Sequence, residues 1–397
     1  MARTEKRDRR AEVTIGLFSL RDHSDVIGAT EPYYVSEYLA TRRVLYAVVP
    51  SGGRRAVSGK VAYDVLRVPR LFGLPPYVSF NLLAPLRSFH RLLRTDLIYT
   101  YKGVFTPALL AKWILRRRWA CDFRSSPVAQ DLEFRMVTHR LTWWRRLVYR
   151  LEKTLYRVIL RGCDLVVAIS PGVAEELVNH YHVSIDRVFV LPVGVDLDRF
   201  RATSYEEIAS PEQLTMCYVG ALAKHRGLET VLEALSRVSA EVPARLILAG
   251  DGPEEDVRAL KQEAARLGLD DRVVWRGYIP HEQIPGLLSE SMISVSPLPD
   301  LQAYRVSVPA KVVESMAAGA VVIASDIPAH QRLLTDGVEG LLFPPGDAIR
   351  LAELALRVYR DSNLRLKLQR AAQDGVQEYA WDRLLDGLDQ KLQELVP

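Results

Sequence analysis

Only three cysteines occur in the 397 residues, and Cys121, Cys163 and Cys217 are odd in number, widely separated and without metal-ligand spacing. That argues against a disulfide framework or a zinc site and for reduced, buried thiols. No apolar run reaches the length of a membrane span. The opening MARTEKRDRR is a charged tail with no hydrophobic signal region behind it, so the expected location is the cytoplasm. Short-period repeats, low-complexity segments and nucleic-acid motifs are missing as well, so no nucleic-acid partner is expected. A complete G-x-G-x-x-G fingerprint is absent from both halves, which disfavours a dehydrogenase.

What is present is a chain with 48% apolar residues, too long for one ordinary core and ample for two domains of similar size. The net charge of +5 hides an asymmetry. Residues 1–200 hold 32 Lys and Arg against 19 Asp and Glu, a net of +13, while the remainder holds 21 against 29, a net of −8. The first half is therefore suited to something anionic.

Short apolar runs alternate with helical stretches throughout. The segments 12–20, 44–50, 96–101, 119–123, 164–170 and 187–194 read as strands of the first half, and 214–220, 244–250, 272–277, 292–297, 320–325 and 340–345 as strands of the second. Each is apolar enough to be covered on both faces, as a parallel sheet requires. The stretches GLETVLEALSRV, EEDVRALKQEAARLG, EQIPGLLSES and PAKVVESMAAG read as helices between them. The pattern predicts an α/β chain of two Rossmann-like, doubly wound parallel-sheet domains facing across a cleft. The seam falls in 192–213, giving domains of 1–195 and 196–379, with the amphipathic helix 380–397 packing back on the first.

Ligands of such sheets gather where strands end and helices begin, because free N–H groups and positive helix termini point there. In YVGALAKHRGLETV, Gly220 permits close backbone approach while Lys224 and Arg226 could clamp a diphosphate, or the stretch is an ordinary glycine turn with surface cations. Gly250 and Gly252 supply the first two glycines of a dinucleotide fingerprint, or a structural turn. In PAKVVESMAAG, Pro309 suits the first helical turn, Gly319 the position just past the end, and Ser307 the cap. Lys311 and Glu314 share one face, either as a surface ion pair or with Glu314 accepting hydrogen bonds from vicinal hydroxyls. In the first half, Leu141, Trp144, Val148, Leu151, Leu155 and Ile159 fall at helical spacing among Arg145, Arg146, Arg150, Lys153 and Arg157. That pattern reads as a core helix with a solvated face, or as a membrane-surface helix; WILRRRWA (113–120) adds weight to an anionic surface.

Seven blocks, in order, carry a family resemblance: DLVVAISPGVAEEL, VLPVGVDLDRF, YVGALAKHRGLETVLEAL, RLILAGDGPEEDVRAL, VVWRGYIPHEQIPGLLSESMISVSP, PAKVVESMAAGAVVIASDIPAHQRLLTDGVEGLLFPPGD and the closing YAW. Over roughly 164–382 the chain resembles the GT4-type retaining glycosyltransferases, the glycosyl transferases group 1 of GT-B architecture. The resemblance implies a UDP- or GDP-sugar donor in the second domain, a glycan or lipid-linked acceptor on the first, transfer with retention, and no metal or other cofactor. A role in cell-envelope polysaccharide or glycolipid synthesis, and a peripheral position on an anionic inner membrane surface, belong to the same expectation.

Residue by residue, the resemblance implies that Glu314 holds the donor ribose, that Gly277, Tyr278 and Ile279 hold the base, and that Lys224 and Arg226 meet the departing diphosphate. Three positions depart from the family pattern. Val306 stands where a first glutamate is usual, which makes Lys311 a phosphate or sugar contact. Ala221 stands where many relatives have arginine. Arg124 and Ser125 occupy the strand end that often bears a histidine, and become the acceptor-side residues, Arg124 with a catalytic part. Rival readings are a GT-B epimerase or phosphorylase, and a nucleotide-sugar-binding protein with little transferase activity.

Overall fold

The computed structural model describes residues 13–20, 31–50, 64–125, 143–200 and 212–396. Two wholly parallel sheets organise them. The first runs β3-β2-β1-β4-β5-β6-β7, with β1 Thr14–Phe18, β2 Val44–Pro50, β3 Asp64–Val68, β4 Leu97–Tyr101, β5 Arg118–Phe123, β6 Leu165–Ala168 and β7 Val188–Val190. The second runs β10-β9-β8-β11-β12-β13, with β8 Leu214–Val219, β9 Ala244–Ala249, β10 Val273–Gly277, β11 Ile293–Ser296, β12 Val321–Ser325 and β13 Gly340–Phe343. In each sheet the order reverses at the first strand, the doubly wound pattern that opens a crevice at the carboxyl ends of the strands. The α/β, two-domain expectation is met.

Every expected strand is found within a few residues of its span. β3 was not anticipated. It is an edge strand with Asp64 and Arg67 exposed, so it lacks the continuous apolar run that marks a strand covered on both faces.

Helices seal both faces of each sheet. In the second, Leu228–Ser239 and Ala348–Arg360 cover one side with Leu232, Leu235, Leu351 and Ala355, and Ala310–Ala318 covers the other with Val312, Val313 and Met316. In the first, the closing helix Trp381–Leu395 lays Trp381, Leu385, Leu388 and Leu392 against Ile15, Leu17 and Val35. Buried side chains of this kind contribute roughly 1.5–3 kcal/mol each, so this last helix is an integral wall of the first core.

The helix Trp143–Leu160 corrects the core-helix reading of the basic stretch. Ile159 is buried, but Leu151 and Leu155 are 62% and 53% exposed, and Trp143 and Val158 are exposed too. The inward face is set instead by Tyr156, which meets Phe105, Phe123 and Tyr181 edge-on. Leu141 and the side chains of Trp144, Arg145, Arg146 and Val148 lie outside the described residues, as does the opening tail. Among the described residues, no helix is long and apolar enough to cross a membrane.

Candidate donor site at the ends of β8 and β9

The loops after β8 and β9 close on each other. A Cβ at Gly250 would stand 1.8 Å from the carbonyl oxygen of Gly220, and one at Gly252 would stand 2.0 Å from that of Leu222. The amide N–H groups of Gly220, Gly250 and Gly252 donate to Ala249 O, Gly277 O and the Asp251 carboxylate. The N–H groups of these three glycines are therefore engaged within the protein. Gly250 and Gly252 serve backbone packing between two turns, and only Gly220 of the three lines the adjoining cavity.

That cavity, of about 350 Å³, lies between Gly220 and the start of the helix Ala310–Ala318, with Arg226, Tyr304, Lys311 and Glu314 on its walls. Pro309 occupies the cap position rather than the first turn, and no side chain caps the helix. Ser307, expected as the cap, donates to Tyr304 O at 2.8 Å instead. Gly319 closes the helix in the left-handed region at φ 83°, as expected.

Lys311 is half-buried, with its Nζ shielded from solvent. Its Nζ has no hydrogen-bond partner among the described residues and stands 3.6 Å from the centroid of the Tyr218 ring. Burial, and then the neighbouring Arg226, hold its ammonium pKa well below the usual lysine range, against weaker opposing effects of Glu314 and Cys217. Arg226 lies 5.4 Å over the Tyr304 ring, and its buried Nε also lacks a partner. Two cations, each with a buried, unused donor, thus face one small cavity, and a diphosphate would satisfy both. Lys224 does not join them: its side chain is exposed, and only its backbone N–H is engaged, by Asp256.

Glu314 is the acid on these walls, and it makes no surface pair with Lys311. Its Oε1 is 2.8 Å from His281 Nε2. His281 in turn has Nδ1 3.3 Å from Arg199 Nη1 and its ring 5.3 Å from that of Phe200. Neither His281 nor Arg199 stood out in the sequence, because neither sits in a motif whose spacing joins it to residue 314. Gly277, Tyr278 and Ile279 follow at the end of β10, outside the cavity lining, with Tyr278 exposed and open space around Gly277.

On the first domain Arg124 is already committed. Asp122 is fully buried at the end of β5, accepts from the Tyr99 hydroxyl, and pairs with Arg124 Nε at 3.0 Å. Arg124 Nη1 donates to Leu191 O. A buried carboxylate demands such a partner, so Arg124 serves as the counter-charge of Asp122, beside the catalytic part expected of it. Ser125 accepts from Lys102 Nζ at 3.3 Å, a contact at the ends of β4 and β5 that the sequence did not suggest. Val306, in place of the usual acid, packs among apolar residues of the first domain and accepts from the Ser170 hydroxyl.

Comparison with known proteins agrees with this architecture. Residues 33–199 match the family model Glycosyltransferase Family 4, and residues 213–361 match Glycosyl transferases group 1. Among curated relatives, the alpha-D-kanosaminyltransferase of Streptomyces kanamyceticus is 25% identical over 58% of this chain and 60% of its own. A D-inositol 3-phosphate glycosyltransferase of Arthrobacter is 26% identical over 57% and 54%. The match thus spans somewhat more than half the length of these relatives. Among solved structures, sucrose-phosphate synthase from Thermosynechococcus elongatus is similar over 96% of this chain and 99% of its own, at 20% identity and a TM-score of 0.75. Anabaena HepE, solved with UDP and glucose, is similar over 96% and 99%, at 18% identity and a TM-score of 0.72. With both halves matched and the two-sheet architecture in place, the chain belongs to the GT4-type glycosyltransferases of GT-B fold.

Proposed function

We propose that the chain is a retaining glycosyltransferase that moves a sugar from a UDP- or GDP-sugar to a glycan or lipid-linked acceptor. The observation that carries the donor half is the pair of cations around one cavity, Lys311 and Arg226, whose buried Nζ and Nε lack a hydrogen-bond partner among the described residues. Cleavage of a sugar–phosphate bond leaves negative charge on the diphosphate, and two preplaced cations in a water-poor site stabilise it without reorganisation. That arrangement supports catalysis without a metal. Lys311 Nζ would stand 3.0 Å from a Cβ at Gly220, one residue from Ala221, so its charge stands in for the arginine missing at 221. Glu314, on the same wall, holds the ribose. In this reading residues 1–195 with the closing helix form the acceptor domain, and Ser125 with Lys102 marks the acceptor side.

A thermal-shift series with UDP, GDP and UMP, each with and without EDTA, tests the donor site. A ligand that binds only the folded state raises the melting temperature. The diphosphates should raise it and the monophosphate far less, with no effect of EDTA; equal responses to UDP and UMP would remove the cations from the reading. Nucleotide release only when acceptor is supplied separates a transferase from an epimerase, a phosphorylase or a mere binding protein.

The exposed Leu151, Leu155, Trp113 and Ile114, near Arg116, Arg117 and Arg150, support a peripheral site on an anionic membrane surface, which suits a lipid-linked acceptor in envelope glycan synthesis. Flotation with phosphatidylglycerol vesicles, against phosphatidylcholine vesicles, checks this. A difference that salt abolishes supports it, and no difference rejects it.

A further inference from the structure

We infer that His281 is a positioning residue for Glu314, that Arg199 sets its tautomer, and that the carboxylate so oriented selects a ribose over a 2′-deoxyribose donor. This rests on the reading of Glu314 as the ribose ligand. The geometry supplies the direction of each hydrogen bond. A guanidinium can only donate, so His281 Nδ1, at 3.3 Å from Arg199 Nη1, accepts. A neutral imidazole that accepts at Nδ1 carries its proton at Nε2, and that N–H donates to Glu314 Oε1 at 2.8 Å. The ring has little freedom to do otherwise: it is 7% exposed and packed against Phe200.

The consequence for Glu314 is specific. A carboxylate has about four acceptor positions, and His281 occupies one of them. Among the described residues, Oε2 and the remaining lone pair of Oε1 are left for two hydroxyl donors, on a side chain that lines the cavity and is held by His281. Arg199 lies on the chain segment that connects the two sheets, beside Asp196, whose carboxylate is 3.8 Å from its Nε. The relay therefore ties the donor helix to the inter-domain connection. A ligand lacking the 2′-hydroxyl leaves one acceptor position of an oriented carboxylate unmet, and sites built this way reject such analogues strongly.

Isothermal titration with UDP and GDP, and with the 2′-deoxy analogue of whichever binds better, tests the assignment on the full chain. The unaltered protein should favour the ribonucleotide by about tenfold or more. His281→Ala should weaken that ligand roughly tenfold, the order expected when one long side chain loses its fixed orientation, and leave the deoxy analogue nearly unchanged. His281→Gln, which returns an N–H near the Nε2 position, should recover most of the preference, and Arg199→Ala should lose part of it. Equal weakening of both ligands in His281→Ala, or weakening of neither, would overturn the inference while leaving the donor site standing. Failure of the unaltered protein to bind either diphosphate would overturn both.

Discussion

The hydroxyl of Ser170 donates to the carbonyl oxygen of Val306, joining the turn after β6 to the segment before the helix Ala310–Ala318. The Ser170 Oγ in turn accepts from Val173 N at 3.1 Å and so caps the helix Pro171–Tyr181. A Cβ at Gly172 would stand 3.0 Å from Val306 Cγ1. The position where the family resemblance led one to expect an acid is here an apolar contact between the two domains.

Restoring that acid should therefore harm the protein. Val306→Glu places a charge in an apolar seam and is expected to destabilise the fold by about 2–3 kcal/mol, without improving donor affinity. Urea unfolding and diphosphate titration of the variant check both statements.

Lys311→Met keeps the length of the side chain and removes its charge. Because the folded-state pKa of Lys311 is depressed, its unfavourable burial is fully felt below that pKa and fades as pH rises toward 10.5. The methionine variant is expected to melt about 2–4 °C higher near neutral pH, with the gain shrinking at high pH, and to lose its thermal response to diphosphate.

Arg226 and Lys224 are two residues apart but differ in what they face. Arg226→Ala should weaken diphosphate binding by about 10–100-fold, the range for a charge-assisted hydrogen bond. Lys224→Ala, which alters an exposed side chain, should change it less than about threefold. Titration calorimetry on both variants decides the matter.

His330 is buried beside β12, with Nδ1 2.6 Å from Ser325 O and Nε2 2.9 Å from Ser296 Oγ. Burial pulls its pKa down to about 4. Between pH 6.5 and 4 the unfolded chain binds a proton that the folded chain refuses, so stability falls with pH, by about 3 kcal/mol at the lower limit. Urea midpoints across that range should show the fall, and His330→Gln should flatten it.

The sheets were legible because buried parallel strands leave continuous apolar runs, and VLYAVVP or AVVIAS could hardly be anything else. The edge strand Asp64–Val68 was hidden by its charges, and the outward turn of Leu151 and Leu155 by the fact that spacing reveals a stripe but not which way it faces. Within the site, Arg226, Lys311 and Glu314 were singled out by their place at strand–helix junctions together with the family resemblance. His281 was not, because its contact reaches a helix residue 33 positions further along the chain. The ion pair of Arg124 was hidden for the converse reason: its neighbour two residues earlier, Asp122, reads as a strand-end acid until its burial is known.

The closing helix bears on the order in which the protein can be completed. Val195 N donates to Tyr379 O and Trp381 N to Val195 O, the rings of Tyr34 and Trp381 stack at 5.1 Å, and Arg43 pairs with Asp389 at 2.9 Å. The residues made first thus obtain one wall of their core from residues 381–395, after the whole second domain has left the ribosome. The first domain must wait, incompletely covered, through the synthesis of its partner, and the two halves reach their final form together.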